Sequence, residues 1–494
     1  MKKTLNLLAV LLVFSFVSCS SSHSSADSDI VPDFDNSETV TDNDTDSEED
    51  SDFIDDSDET PDIDFDSETE YPDKPEEEED EEFDDSDVYI RCYDEIPDEP
   101  YAGFFADPNL EVWVKRMLNY DSDSELQEED LKKVTELGLT CKDIRGIEKL
   151  VNLEYIEFFN TDGNIYDFTP LSELKKLKKM RISSESMTCL DKSFSLLTNL
   201  ETLEIENTQL QDVSPVEQLV NLTSLDLNKN RIEFLPKNIS SLQKLEWLSF
   251  SYNRVKKINS LKSLTNLKNL FFTDNQVEDI SPVKDMTKLV KINFSTNKVK
   301  DISAIENFSE LEMLGANSNR IEILPVFQQL KKLQRVYLSY NNVKNLPSLI
   351  GLNSIIQIDF AYNKLDDKDL LRFDDLEAVQ VLDVSFNQIT KIPILKSVKS
   401  LGELYLVGNN INDLSGLIDN KSFPVLKQLE LQYNKIENAE PLRKREGLSR
   451  LSIHNNCIKD LSPLEELQKN GTYVSGMNEQ LESCESNIIF VKGE

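Results

Sequence analysis

Histidine is almost absent from the chain: His23 and His454 are the only two in 494 residues. A Ser-His-Asp or Cys-His centre would have to use His454, and no nucleophile elbow surrounds it. Glycine is scarce as well, 13 in all, with none before Gly103. No Walker loop or dinucleotide-binding glycine pattern occurs, and the metal-ligating residue types are not clustered at ligand spacing. These shortages predict no catalytic residue, no cofactor and no metal. Positive charge is short too: 52 Lys and Arg stand against 93 Asp and Glu, a net charge of −41. Such a chain is not drawn to phosphate backbones, so nucleic acid is excluded as a partner.

The deficit is uneven. Residues 27–90 hold 32 Asp and Glu against one Lys, a balance of −31. Their scattered apolar residues show no period, so this segment cannot bury enough to offset its ordering entropy. It is expected to be a disordered, charge-stretched tether over 19–90. The run Asp42 to Asp52 alternates oxygen ligands, but an EF-hand loop needs a glycine at its sixth position and none is present. Ahead of it, Lys2 and Lys3 precede an apolar run from Leu5 to Val17 and then Cys19. The run is too short to span a bilayer and has the flanks of a secretory signal, residues 1–18. Phe16-Val17-Ser18-Cys19 resembles a bacterial lipobox, which implies lipidation of Cys19.

Residues 91–140 read as a helical N-terminal cap. Asp107-Pro108 is a helix start, with Leu110, Trp113 and Met117 on one face. A second helix is expected from Gln127 to Leu137, stopped by Gly138, with Leu131, Val134 and Leu137 inward.

Beyond the cap one frame repeats: LTSLDLNKNRI, LEWLSFSYNRV, LKNLFFTDNQV. Aligned on its asparagine it gives Asn230, Asn253, Asn275, Asn297, Asn319, Asn341, Asn363, Asn387, Asn409, Asn434 and Asn456. The spacing is 22 residues in seven of the ten intervals. Upstream, Leu200 to Ile205 keeps the leucines but has Thr208 at the asparagine position, and two weaker copies precede it. About fourteen coils result, the leucine-rich repeat pattern. Each Leu-x-Leu is a short strand with one buried face, and successive coils set these strands side by side. The chain then turns sharply, and the asparagine side chain, donor and acceptor at once, satisfies the buried backbone there. The asparagines are therefore read as a structural ladder. Return legs such as Asp279-Ile-Ser-Pro282 leave no room for a long outer helix. The expected fold is α/β: a curved leucine-rich repeat solenoid over 141–460. It would have a short-strand parallel sheet on its concave face, a mostly irregular convex face and a C-terminal cap at 461–494.

The stretch Val277 to Val283 after the ladder asparagine resembles internalin-type bacterial repeats. So do Asp107-Pro-Asn-Leu110, Val114 to Leu118 and Ile144 to Glu148 in the cap. The resemblance implies a scaffold shared by proteins that differ in what they bind. No sortase motif follows the array, which points to a lipid anchor.

A solenoid binds on its concave wall. The residues expected there are Trp247, Phe271, Arg335, Tyr337, Asp359, Asp383, Tyr405 and Glu430, a rim of acids around aromatics. Tyr252, Tyr340, Tyr362, Phe386 and Tyr433, each just before a ladder asparagine, are read as coil-packing residues. Of the cysteines, Cys457 and Cys484 are disulfide candidates that would pin the C-terminal cap; Cys92 and Cys141 are a second pair, leaving Cys189 free. The sequence thus predicts a non-catalytic, monomeric, exported protein at the cell surface or in the periplasm. It would touch the membrane only through its lipid anchor and bind a protein or glycan. The alternatives are a structural surface protein without a ligand and a phosphatase-type regulatory subunit, against which the export signal argues.

Overall fold

The structure is a computed structural model, which describes residues 100–484 apart from 162, 166 and 419–421. The chain divides into two units, Met1–Phe83 and Asp84–Glu494, and every described residue belongs to the second. The signal, the lipidation of Cys19, the acidic tether and Cys92 lie outside the described residues.

Sixteen parallel strands form one open sheet in strict chain order, from β1 (Glu136–Leu139) to β16 (Tyr473–Ser475). The core strands are three residues long, and the middle one points inward: Leu270 and Leu314 are fully buried. The return legs are short 3-10 turns such as Ser281–Val283, with Pro282 placed where its missing N–H costs nothing. Inside, Phe250, Phe272 and Phe294 stack at 5.4 and 5.6 Å, continuing the core from coil to coil.

The ladder is as expected. The Asn253 amide donates to Leu227 O of the preceding coil and to Phe250 O and Ser251 O of its own. Its oxygen accepts from Ile232 N at 3.0 Å. One side chain thus serves four backbone groups across two coils. Upstream, hydroxyls replace the amide: Thr208 donates to the Asn230 oxygen, and Thr161 donates to Ser184 Oγ at 2.8 Å.

The cap departs from expectation in two places. α1 (Pro108–Met117) starts as predicted, with Asp107 accepting from Asn109 N. Its buried face, however, is Leu110 with Val114; Met117 is exposed and Trp113 lies at the edge, against Phe159 at 5.3 Å. The second helix, α2 (Glu128–Leu131), has four residues and does not reach Leu137. Glu154 N and Tyr155 N bond to Thr135 O, and 136–139 become the first strand of the sheet, paired with β2 (Tyr155–Phe159). Gly138 is a strand residue beneath the Phe159 ring, not a helix stop. Leu131, Val134 and Leu137 are buried as predicted. At the other end, a helix at Ser462–Lys469 is followed by β16, so the sheet continues into both predicted caps.

Cys457 and Cys484 form a disulfide that ties the terminal segment to the last coil. The second pairing is overturned. Cys141 is a free thiol packed in the core, where burial pushes its pKa up to about 12. Cys189, expected to be free, is disulfide-bonded. Cys141 lies two residues past the end of β1 and is buried in the apolar core.

Candidate ligand-binding face

Register aligns the outward strand positions into two rows. One row runs Tyr337, Asp359, Asp383, Tyr405, Glu430, Ser452 across β10 (Arg335–Tyr337), β11 (Gln357–Asp359), β12 (Val381–Asp383), β13 (Glu403–Tyr405), β14 (Gln428–Glu430) and β15 (Arg450–Ser452). The structure therefore brings five of the eight expected wall residues into one line, with Arg335 beside Tyr337. Trp247 and Phe271 pack together at 5.9 Å on β6 (Trp247–Ser249) and β7 (Asn269–Phe271). Two strands separate them from Arg335, so they form a patch of their own.

The polar atoms of the row are partly engaged. The Tyr337 hydroxyl donates to Gln357 Oε1 at 3.2 Å and the Tyr405 hydroxyl to Glu403 Oε2 at 2.8 Å. Asp359 and Asp383 each accept from the backbone N–H two residues on, at Ala361 and Ser385, which fixes the turn into the ladder. Burial pushes the Asp359 carboxyl up to about 6 despite that bond, and it raises Asp383 in the same way. Burial also raises both tyrosines, with Glu403 adding to the effect at Tyr405. Glu430 departs from expectation. It is 5% exposed, accepts from Gln428 and Gln432, and has Arg450 at 3.5 Å, so it is a satisfied member of the wall.

Four of the five residues before the ladder pack against a neighbouring coil, as expected, but they do so at the surface: Tyr252, Tyr340, Tyr362 and Tyr433 are 52, 54, 37 and 39% exposed. In every one of these coils that residue takes positive φ, between 53° and 59° for Tyr252, Tyr340, Tyr362, Phe386 and Tyr433, which turns its side chain outward. Tyr340, Tyr362 and Phe386 stack on one another at 4.1 Å, and Phe386 leans over Gly408, where a Cβ would stand 2.4 Å from its ring. Tyr433 meets His454 edge-on at 5.1 Å, so that histidine is a stacking residue.

A second charged group escaped the sequence reading. Arg181 reaches Glu206 at 2.5 Å and Glu157 and Glu204 at 3.7 Å. Burial pushes nearby Asp226 up to about 7, with Glu206 and Glu204 adding to it. The same Leu-x-x-Leu alternation applied to 153–158, 177–182 and 200–205 would have found this group, but the missing asparagine made those coils look irregular. Among the described residues no group of His, Cys, Asp and Glu is placed to hold a metal ion, and no helix is long and apolar enough to cross a membrane.

Comparison with known proteins agrees with this architecture. The sequence profile of the family described as leucine-rich repeat region matches residues 192–487. No curated protein matches the chain. Among solved structures, an internalin (InlF) of Listeria monocytogenes is similar at 24% identity and TM-score 0.55, over 75% of this chain and 95% of that one. A leucine-rich repeat protein of Leptospira interrogans is similar at 23% identity and TM-score 0.59, over 70% and 97%. The functional domain of InlJ from Listeria monocytogenes is similar at 20% and 0.55, over 72% and 80%. At these identities the likeness is one of fold.

Proposed function

The chain belongs to the leucine-rich repeat family, and from that premise we propose that it is an exported, surface-tethered, non-catalytic protein that binds a protein or glycan ligand on its concave wall. One observation carries the reading: Tyr337, Asp359, Asp383 and Tyr405 stand in a single register row, half-buried and facing outward. Aromatic anchors beside poorly solvated carboxylates are the composition of a binding patch. Export is supported by Lys2, Lys3, the apolar run to Val17 and Cys19.

The test is capture of partners from host, matrix and envelope extracts by the full chain and by its Tyr337→Ala/Tyr405→Ala variant. Each truncated tyrosine should weaken a captured partner by about 1–3 kcal/mol, with the melting midpoint nearly unchanged. Full capture by the double variant would remove the wall as the site, and capture of nothing by either would favour a purely structural role. In the same cells, Cys19→Ala should move the protein to the soluble fraction if a lipid tethers it.

A further inference from the structure

Two exposed tyrosines and a half-buried phenylalanine in one unbroken stack are expensive to maintain. Tyr340, Tyr362 and Phe386 all adopt the left-handed conformation that bulky residues avoid, and both tyrosines stand in water. The fold does not require them: the equivalent residues of other coils are Lys229, Asp274, Thr296, Ser318 and Gly408, with the same backbone. The preceding coil offers only Ser318 at this position, so the outer face of the Tyr340 ring is open.

The stack borders the concave row. Tyr362 follows Asp359 by three residues and Phe386 follows Asp383 by three, each at the turn that leaves its strand, so the edge of the sheet adjoins its wall. Arg335 stands beside Tyr337, yet among the described residues no Lys or Arg pairs with Asp359 or Asp383. Glu403 and Glu430, by contrast, are occupied by Tyr405 and by Gln428, Gln432 and Arg450. Two desolvated carboxylates without a counter-ion lie next to an open aromatic face.

We propose that the stack Tyr340, Tyr362 and Phe386 and the carboxylates of Asp359 and Asp383 form one dock for an extended, arginine- or lysine-bearing segment of a protein partner. A guanidinium laid on the open Tyr340 face gains a cation–π contact, and neighbouring cations supply the charge that the two aspartates lack. The proposal rests on the wall being the binding face and adds to it a second contact surface and the chemistry of the occupant.

The test uses the full chain and a photo-crosslinking oligoarginine peptide as probe, with adducts mapped by mass spectrometry and an oligoglutamate peptide as control. Adducts should fall within residues 335–409 and drop about tenfold in Tyr340→Asn/Tyr362→Asn and in Asp359→Asn/Asp383→Asn. Asparagine suits the left-handed position, and melting curves confirm that the variants fold. Adducts confined to the acidic residues 27–90, array adducts unchanged in the two variants, or equal labelling by oligoglutamate would each overturn the dock. If only Tyr337→Ala/Tyr405→Ala lowers labelling, the wall binds and the dock fails. If only the dock variants lower it, the dock stands and the binding face excludes Tyr337 and Tyr405.

Discussion

Residues 224–300 carry 14 Lys and Arg against 7 Asp and Glu, a balance of +7; residues 335–433 carry 10 against 12, a balance of −2. The two stretches share everything inside. Asn253 and Asn363 make the same bonds to the coil before, and Leu248 and Leu382 are both fully buried. They differ only where the backbone leaves a choice. At the left-handed position the first stretch places Lys229, Tyr252, Asp274 and Thr296, and the second places Tyr340, Tyr362, Phe386, Gly408 and Tyr433. On the wall the first offers Asp226, Ser249, Phe271 and Asn293 where the second offers its row of tyrosines and acids. A repeat holds its interior to one solution because each coil must fit the next, and the outward positions are left free to specialise.

The largest expected effect is therefore common to both stretches. Asn253→Ala and Asn363→Ala each strand four backbone groups across two coils and should each cost about 3 kcal/mol. Chemical denaturation followed by circular dichroism checks this. A stretch that tolerated the loss would show that its ladder is ornamental and that the two interiors are not equivalent.

The next effect separates them. Burial raises Asp226 to about 7 and Asp359 only to about 6. A carboxyl with a folded pKa above its unfolded value of about 4 stabilises the fold while protonated. That contribution is complete below about pH 4 and is lost as pH rises through the folded pKa. Asp226→Asn keeps an acceptor for Asn228 N, 2.8 Å away in the native chain, and removes the buried charge. It should raise stability at pH 8 by on the order of 2 kcal/mol, and Asp359→Asn by less. Both variants should flatten the decline of melting temperature between about pH 4 and pH 7. A wild-type stability that rises over this interval would reverse the assignment.

What could be read from the sequence followed the same division. The asparagine ladder, the strands and the short convex turns are imposed by spacing, so the eleven asparagines were legible; the Cys457–Cys484 bond was legible because the two cysteines bracket the terminal segment. So was the register row, because strand alternation fixes which residues point outward. Glu430 was misread because alternation says nothing of neighbours: Gln428 and Gln432 close over it from its own coil. The coil-to-coil packing of Tyr340, Tyr362 and Phe386 was legible from their place beside the ladder, but their exposure was not, because only the positive φ reveals that they point outward. Cys141 and Cys189 exchanged roles because a cysteine's pairing depends on which way its sulfur faces, and spacing does not encode that.

The smallest expected effect on stability is the most informative about the stack. Tyr362 sits between two rings at 4.1 Å, and its loss removes both contacts, worth about 0.5–1.5 kcal/mol each. Against this, a bulky residue at φ 54° carries strain on the order of 1–2 kcal/mol, which asparagine largely avoids. The opposing contributions nearly cancel, so Tyr362→Asn should shift stability by no more than about 1 kcal/mol. Lys229→Asn, at the same backbone position in the first stretch, loses no stacking and should gain about 0.5 kcal/mol. The pair is compared by denaturation and by labelling with the oligoarginine probe. Tyr362→Asn should lose labelling while remaining folded, and Lys229→Asn should leave labelling unchanged. Destabilisation by Tyr362→Asn as large as that of a ladder asparagine would make the three rings a clamp between coils. The second stretch would then differ from the first in how it is held together, and the aromatic edge would have to be explained by stability alone.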